Sequence, residues 1–148
     1  MSPELIDQVL SNQVTLSQAL GLSENVVEIF AMLGAQCYEQ GRYGDARSMF
    51  VAAVALNGNS YFGHAGLGAV ALIEEDLEGA LQSLQRAYQI NTKDPAVCGN
   101  LGEVMLRKGQ LPEAIRYLSE AAALDPAHTS PYANRARGIL HAIQPQPR

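Results

Sequence analysis

Gly34, Gly68 and Gly102 stand 34 residues apart, each directly after a leucine (Leu33, Leu67 and Leu101). The same step joins Ala46, Ala80 and Ala114, and again Ala53, Ala87 and Ala121. It also joins Phe50, Leu84 and Leu118, and Tyr43, Leu77 and Leu111. Six columns aligned over three units mark a stack of like elements, none of which can bury its apolar face alone. The columns have a physical reading as antiparallel helix pairs. Glycine after leucine lets a neighbouring backbone approach where a larger side chain would clash. Alanine further on marks a close helix crossing, with no loss of helix propensity. Phe50, Leu84 and Leu118 follow the first alanine by four residues, on the same helical face, and so fill the space between the helices.

Caps and breakers predict where the helices lie. The register gives 26–39 and 44–57, then 61–74 and 78–90, then 95–108 and 112–124. Gly41 and Gly109 sit where the chain must leave a helix, a place that favours the left-handed conformation. Asp94-Pro95 reads as a cap followed by proline in the first turn. Ser130-Pro131 opens a seventh helix, 131–143, which closes the open end of the stack as a solenoid's last unit must. Upstream, Ser2-Pro3 begins a short helix, and Thr15-Leu16-Ser17-Gln18 is a capping box opening another before Gly21. The Gln-Pro-Gln-Pro-Arg tail is expected to be disordered.

On these residues the chain resembles a tetratricopeptide repeat protein, with units 27–60, 61–94 and 95–128. The resemblance implies an all-α fold: three tetratricopeptide helix pairs in a right-handed superhelix, with an N-terminal helical arm and a C-terminal capping helix. The expected organisation is a single all-helical domain over 1–148. Within it, 1–26 form the arm and 129–148 the capping helix and a flexible tail.

Composition limits the function. Apolar residues are 47% and charged residues 17%, a globular balance. A net charge of −5 argues against a general binder of nucleic acid or anionic membranes. Charge is uneven: residues 1–41 carry Glu4, Asp7, Glu24, Glu28 and Glu39 with no lysine or arginine, while 107–148 hold three acids and six bases. Attraction between the acidic arm and the basic end of a second copy is one outcome of that asymmetry, solvated faces another. Cys37 and Cys98 lack metal or disulfide spacing and read as two buried thiols in a reducing compartment. With Glu4 and Asp7 near the N-terminus and no apolar run of spanning length, the chain is expected to be cytoplasmic and soluble.

A search for chemistry finds little. His64, His128 and His141 fall in separate elements, and His64 occupies a packing position. Glu74, Glu75, Asp76 and Glu78 lie at an inter-helix turn without the alternating spacing of a cation loop, and read as a solvated turn. Gly63, Gly66 and Gly68 fall within a helix register and lack the strand and Lys-Ser/Thr of a phosphate loop, so they read as packing glycines. Neither enzyme activity nor a metal or cofactor is expected.

What remains is a surface. Positions 2, 5, 9 and 12 of each first helix are expected to line the concave side: Glu28, Ala31, Ala35 and Tyr38; Phe62, Ala65, Ala69 and Leu72; Ala96, Gly99, Glu103 and Leu106. This mostly small, apolar stripe suits an extended segment with leucine, valine or proline side chains. The lysine and asparagine that clamp a C-terminal carboxylate in other repeat proteins are absent, since Ala31, Ala35, Ala65 and Ala69 stand there. Tight helix packing alone is the competing explanation for those alanines.

A narrower likeness rests on three turns. Tyr38-Glu39-Gln40-Gly41-Arg42-Tyr43-Gly44-Asp45-Ala46, Gly66-Leu67-Gly68-Ala69 and Leu106-Arg107-Lys108-Gly109-Gln110-Leu111-Pro112-Glu113-Ala114 resemble stretches of the class II chaperones of type III secretion, of the SycD, LcrH and IpgC type. The resemblance implies a cytoplasmic chaperone that holds a secreted translocator protein by an extended segment in the groove and keeps it export-competent. It also implies a homodimer made through the arm, by Leu5, Ile6, Val9 and Leu10. The alternative is a general repeat scaffold assembling a complex such as a secretion or pilus apparatus, meeting a folded partner through the basic end around Arg135 and Arg137.

Overall fold

The computed structural model describes residues 1–23 and 25–144; the tail from 145 onward, read above as disordered, lies outside the described residues, as does Glu24. Among the described residues the secondary structure is entirely helical. A short α1 (Pro3–Leu10) and a one-turn α2 (Leu16–Ala19) precede three antiparallel pairs. These are α3 (Asn25–Glu39) with α4 (Tyr43–Leu56), α5 (Tyr61–Ile73) with α6 (Leu77–Ile90), and α7 (Pro95–Arg107) with α8 (Leu111–Ala123). A last helix, α9 (Pro131–Ile143), packs on α7 and α8.

The boundaries follow the local chemistry. Ser2, Ser60, Asp76, Asp94 and Ser130 each accept a hydrogen bond from a first-turn amide of the helix they open. Such caps each contribute about 1 kcal/mol. At Thr15 both halves of the capping box form: Gln18 N–H donates to the Thr15 hydroxyl, and Thr15 N–H donates to the Gln18 side-chain Oε1. Gly41 and Gly109 turn the chain at φ +72° and +74°. The middle pair has no glycine there: Glu75 adopts φ +62° instead, at a cost of about 1 kcal/mol.

The repeat columns are the core. Ala46, Ala80 and Ala114 are fully buried, as are Ala53, Ala87 and Ala121. Leu84 and Leu118 are fully buried and Phe50 nearly so. The glycines hold these crossings close. A Cβ on Gly102 would lie 2.6 Å from Leu118 Cγ and 3.1 Å from the Leu118 amide nitrogen. One on Gly34 would lie 2.7 Å from the Phe50 ring, and Gly68 meets Leu84 in the same way. Gly63 and Gly66 are likewise closed off, by Val54 and Ser60 and by the Phe50 ring.

Burial rises along the stack. The leucine before each packing glycine is 40% exposed at Leu33, half-buried at Leu67 and fully buried at Leu101. Leu67 packs against Phe50 and Ala46 of the preceding pair, and Leu33 has no preceding pair to meet. Polar bonds tie neighbouring pairs together: Arg47 to Glu74, Arg86 to Asn59, Lys108 to Glu78, and Tyr88 to Glu120 at 2.7 Å. The first three, which are exposed, contribute little beside the buried apolar surface.

Gly102→Ala is expected to lower stability by about 1–3 kcal/mol, because the new methyl has no room at the crossing. Gly138→Ala, within α9 with no atom within 4 Å of the added carbon, is expected to raise it by about 1 kcal/mol. Urea unfolding midpoints of the two variants beside the parent chain check both.

Candidate functional site

The stack leaves a concave cleft of about 890 Å3 along α3, α5 and the start of α7, with Tyr132 of α9 on its far wall. Small residues make the floor: Ala31, Ala35, Ala65, Gly66, Ala69 and Ala96. Gly66 has no side chain to cover the Phe50 ring, so that otherwise buried ring reaches the cleft. Larger side chains rise from the floor. Phe62 is 66% exposed, braced edge-to-face on Tyr61 with ring centroids 5.2 Å apart. Tyr38 stands edge-to-face with Tyr43 at 5.4 Å.

Burial pushes the Tyr38 phenol up from its ordinary pKa, and Tyr132 and Tyr43 add to the rise. Tyr38 of the first pair and Tyr132 of the last helix both line the cleft. At the start of α7, Asp94 accepts a hydrogen bond from the Tyr61 hydroxyl and another from Ala96 N–H at 2.7 Å. Burial first, then this carboxylate, raises the Tyr61 phenol far above its usual range, keeping it a neutral donor.

Helix α9 is fixed by two buried acids. Asp125 accepts from Ser130 N–H at 2.9 Å, and from the N–H and hydroxyl of Thr129 at 3.1 and 3.0 Å. Arg137 completes this knot, donating to the Ala122 carbonyl at 2.8 Å and to that of Asp125. Glu103 pairs with Arg107 at 2.6 Å and with Arg135 of α9 at 2.7 Å. Arg135 and Arg137, read from sequence as a basic surface for a partner, are thus engaged within the chain.

The structure brings together eight of the twelve residues read as concave from sequence: Glu28, Ala31, Ala35, Tyr38, Phe62, Ala65, Ala69 and Ala96. Four others go elsewhere. Leu72 is buried in the core cluster with Leu101, Val104 and Met105, and Leu106 packs against that same cluster. A leucine at this position is covered by its packed neighbours, whereas the longer Tyr38 reaches past them. Gly99 and Glu103 line a separate small recess with Tyr132 and Arg135, because α9 lies across them. Residues that reach the cleft without having been anticipated include Met32, Tyr43, Phe50, Val97, Asn100 and Tyr132. Gly66 was the available signal for Phe50; no spacing pointed to Tyr132.

Other readings resolve locally. His64 is half-buried at the rim, its Nε2 2.9 Å from the Gly58 carbonyl oxygen. Glu74 and Glu78 are engaged by Arg47 and Lys108, and Asp76 caps α6. Cys98 is fully buried, and that burial pushes its thiol up to about 12. Cys37, expected to be buried as well, is only half-buried, because α3 has no preceding pair to cover it. No helix among the described residues is long and apolar enough to cross a membrane.

Comparison with known proteins agrees with this geometry. Two tetratricopeptide repeat models match, over residues 38–95 and 71–143. Among curated relatives, the cellulose synthase 1 operon protein C of Komagataeibacter xylinus is 48% identical over 50 residues, but the match spans only 4% of that protein. The crystal structure of PcrH, a Pseudomonas aeruginosa protein, with the chaperone binding region of PopD superposes with a TM-score of 0.72 at 32% identity, covering 82% of this chain and 93% of PcrH. The Yersinia enterocolitica type III secretion translocator chaperone SycD matches with a TM-score of 0.73 at 26% identity, covering 88% of this chain and 98% of SycD. The fold and its cleft are those of a tetratricopeptide repeat protein. Within that class the chain belongs to the family of type III secretion translocator chaperones that includes PcrH and SycD.

Hydrogen bonds from Ser130, Thr129 and Arg137 hold the Asp125 carboxyl below its ordinary range despite its burial. Its contribution to stability is therefore complete above that range and is lost as pH falls through the depressed value. The stability gap between the parent chain and Asp125→Asn is expected to stay constant from about pH 7 to 5 and to close below about pH 4. Urea titrations across that range check it; a gap that widens on acidification contradicts it.

Proposed function

We propose that this chain is a cytoplasmic chaperone that binds an extended apolar segment of a type III secretion translocator in its concave cleft. The observation that carries the proposal is the cleft itself, an apolar trough with Phe62 standing exposed on one wall. PcrH has been crystallised with the chaperone binding region of PopD, and SycD with a peptide of the translocator YopD, which supports reading this cleft as the place of binding. The proposed groove comprises Glu28, Ala31, Ala35, Tyr38, Phe62, Ala65 and Ala69, extended by Phe50, Val97 and Tyr132.

The mechanism is binding without turnover, and it uses no cofactor. A translocator's hydrophobic segments expose surface that aggregates when left free. Each large apolar side chain fully buried in the cleft contributes about 1.5–3 kcal/mol, less the cost of ordering the segment. An extended client suits a floor of small residues, Ala31, Ala35, Ala65, Gly66 and Ala69, flanked by the larger Phe62 and Tyr38.

The same reading gives α1 as a dimer arm through Leu5, Ile6, Val9 and Leu10. In support, α1 has no buried residue, and Leu10 is 75% exposed.

Phe62→Glu is expected to weaken capture of the translocator at least about tenfold, with the helical circular dichroism unchanged. A tagged pull-down from the source cytosol, parent beside variant and read by mass spectrometry, checks it. Recovery by both proteins of the same folded complex subunit contradicts the chaperone reading. Ile6→Glu with Leu10→Glu is expected to convert a dimer to a monomer in light scattering; an unchanged mass removes α1 from the interface.

A further inference from the structure

The geometry points to a client segment that carries lysine or arginine beside its apolar anchors, matched to carboxylates at the lips of the cleft; this rests on the groove reading above. The charged side chains lining the cleft are Glu28, Glu39 and Asp94, and among the described residues no lysine, arginine or histidine joins them. Glu28 and Glu39 lie eleven residues apart on α3, close to three full turns. They therefore share one face of the helix, about 16 Å apart along its axis, one at each end. Both are exposed, and neither takes part in an ion pair among the described residues.

Nearby cations are committed elsewhere. Arg42 is paired with Asp45, Arg47 with Glu74 and Arg135 with Glu103. Asp94 already accepts from Tyr61 and Ala96, so it adds to the negative field without offering a free oxygen. An apolar floor beneath these carboxylates weakens the solvent's screening of them. Rim charges of this kind select among partners and speed encounter more than they supply affinity. The apolar anchors hold the segment, then, and the charge beside them decides which segment is held. An acidic segment meets three unmatched anions; a basic one meets two unpaired carboxylates.

The test uses the full chain and three synthetic peptides that share one core of proline, leucine and valine and are flanked at both ends by two Lys, two Gln or two Glu. Affinities are read by fluorescence anisotropy at low salt and at about 0.5 M salt, for the parent chain, Phe62→Glu, and the double variant Glu28→Gln with Glu39→Gln. The Lys-flanked peptide is expected to bind about tenfold more tightly than the Glu-flanked one at low salt. That preference is expected to fall to about twofold at high salt, and to about twofold at low salt in the double variant. Equal affinity for all three peptides, still lost in Phe62→Glu, overturns the charge inference and leaves the groove standing. A preference that survives in the double variant overturns it too, because other groups then supply the field. Failure of every peptide to bind sinks the groove reading and this inference with it.

Discussion

The close crossing of two helices at a glycine is the constraint on which the rest of this molecule depends. At Gly102 the facing Leu118 side chain and its backbone amide occupy the space a methyl would need. Gly34 and Gly68 repeat the arrangement against Phe50 and Leu84. The two columns of fully buried alanines complete it, because any larger residue at these points would force the helices of a pair apart. Once each pair is this thin on one side, stacking the pairs curves the array. The cleft is the inside of that curve, and its floor of alanines and glycine comes from the same small-residue economy. Structure and site thus share one cause.

Affinity and choice are separated in the cleft. Phe62, Phe50, Tyr38 and Tyr132 offer apolar surface without fixed hydrogen-bond demands, which suits a client held extended and later surrendered. Tyr61 and Asp94 satisfy each other at the start of α7. Glu28 and Glu39 are in no ion pair among the described residues, and they stand at the two ends of α3, where the inferred charge preference acts on approach.

Much of the fold was legible because a repeat states the same information three times. Helix ends fell within a residue of expectation wherever a capping side chain or a turn glycine marked them, as at Asp94, Ser130 and Gly109. The alanine and Phe50/Leu84/Leu118 columns went where their spacing put them. The cleft was legible only in part, because periodicity fixes which face of a helix a residue occupies, not what lies over that face. Leu72 sits at the same register as Tyr38 and is nevertheless covered. Gly99 and Glu103 share the register of Ala65 and Ala69, but α9 lies across them. Tyr132 belongs to the helix outside the repeat, where no neighbouring unit supplies a column to compare. Glu75 is the reverse case: a turn lacking its glycine still adopts the glycine's conformation, because the pairs on either side dictate it.

The gradient of burial along the stack gives the cleft two unlike jaws. One is formed by α7 and α9, backed by Leu101, Leu118 and the Asp125 knot. The other is α3, whose outer leucine has nothing behind it. Helix α3 packs on α4 and α5, whereas α7 packs on α5, α6, α8 and α9, so the α7 jaw is the more firmly braced of the two.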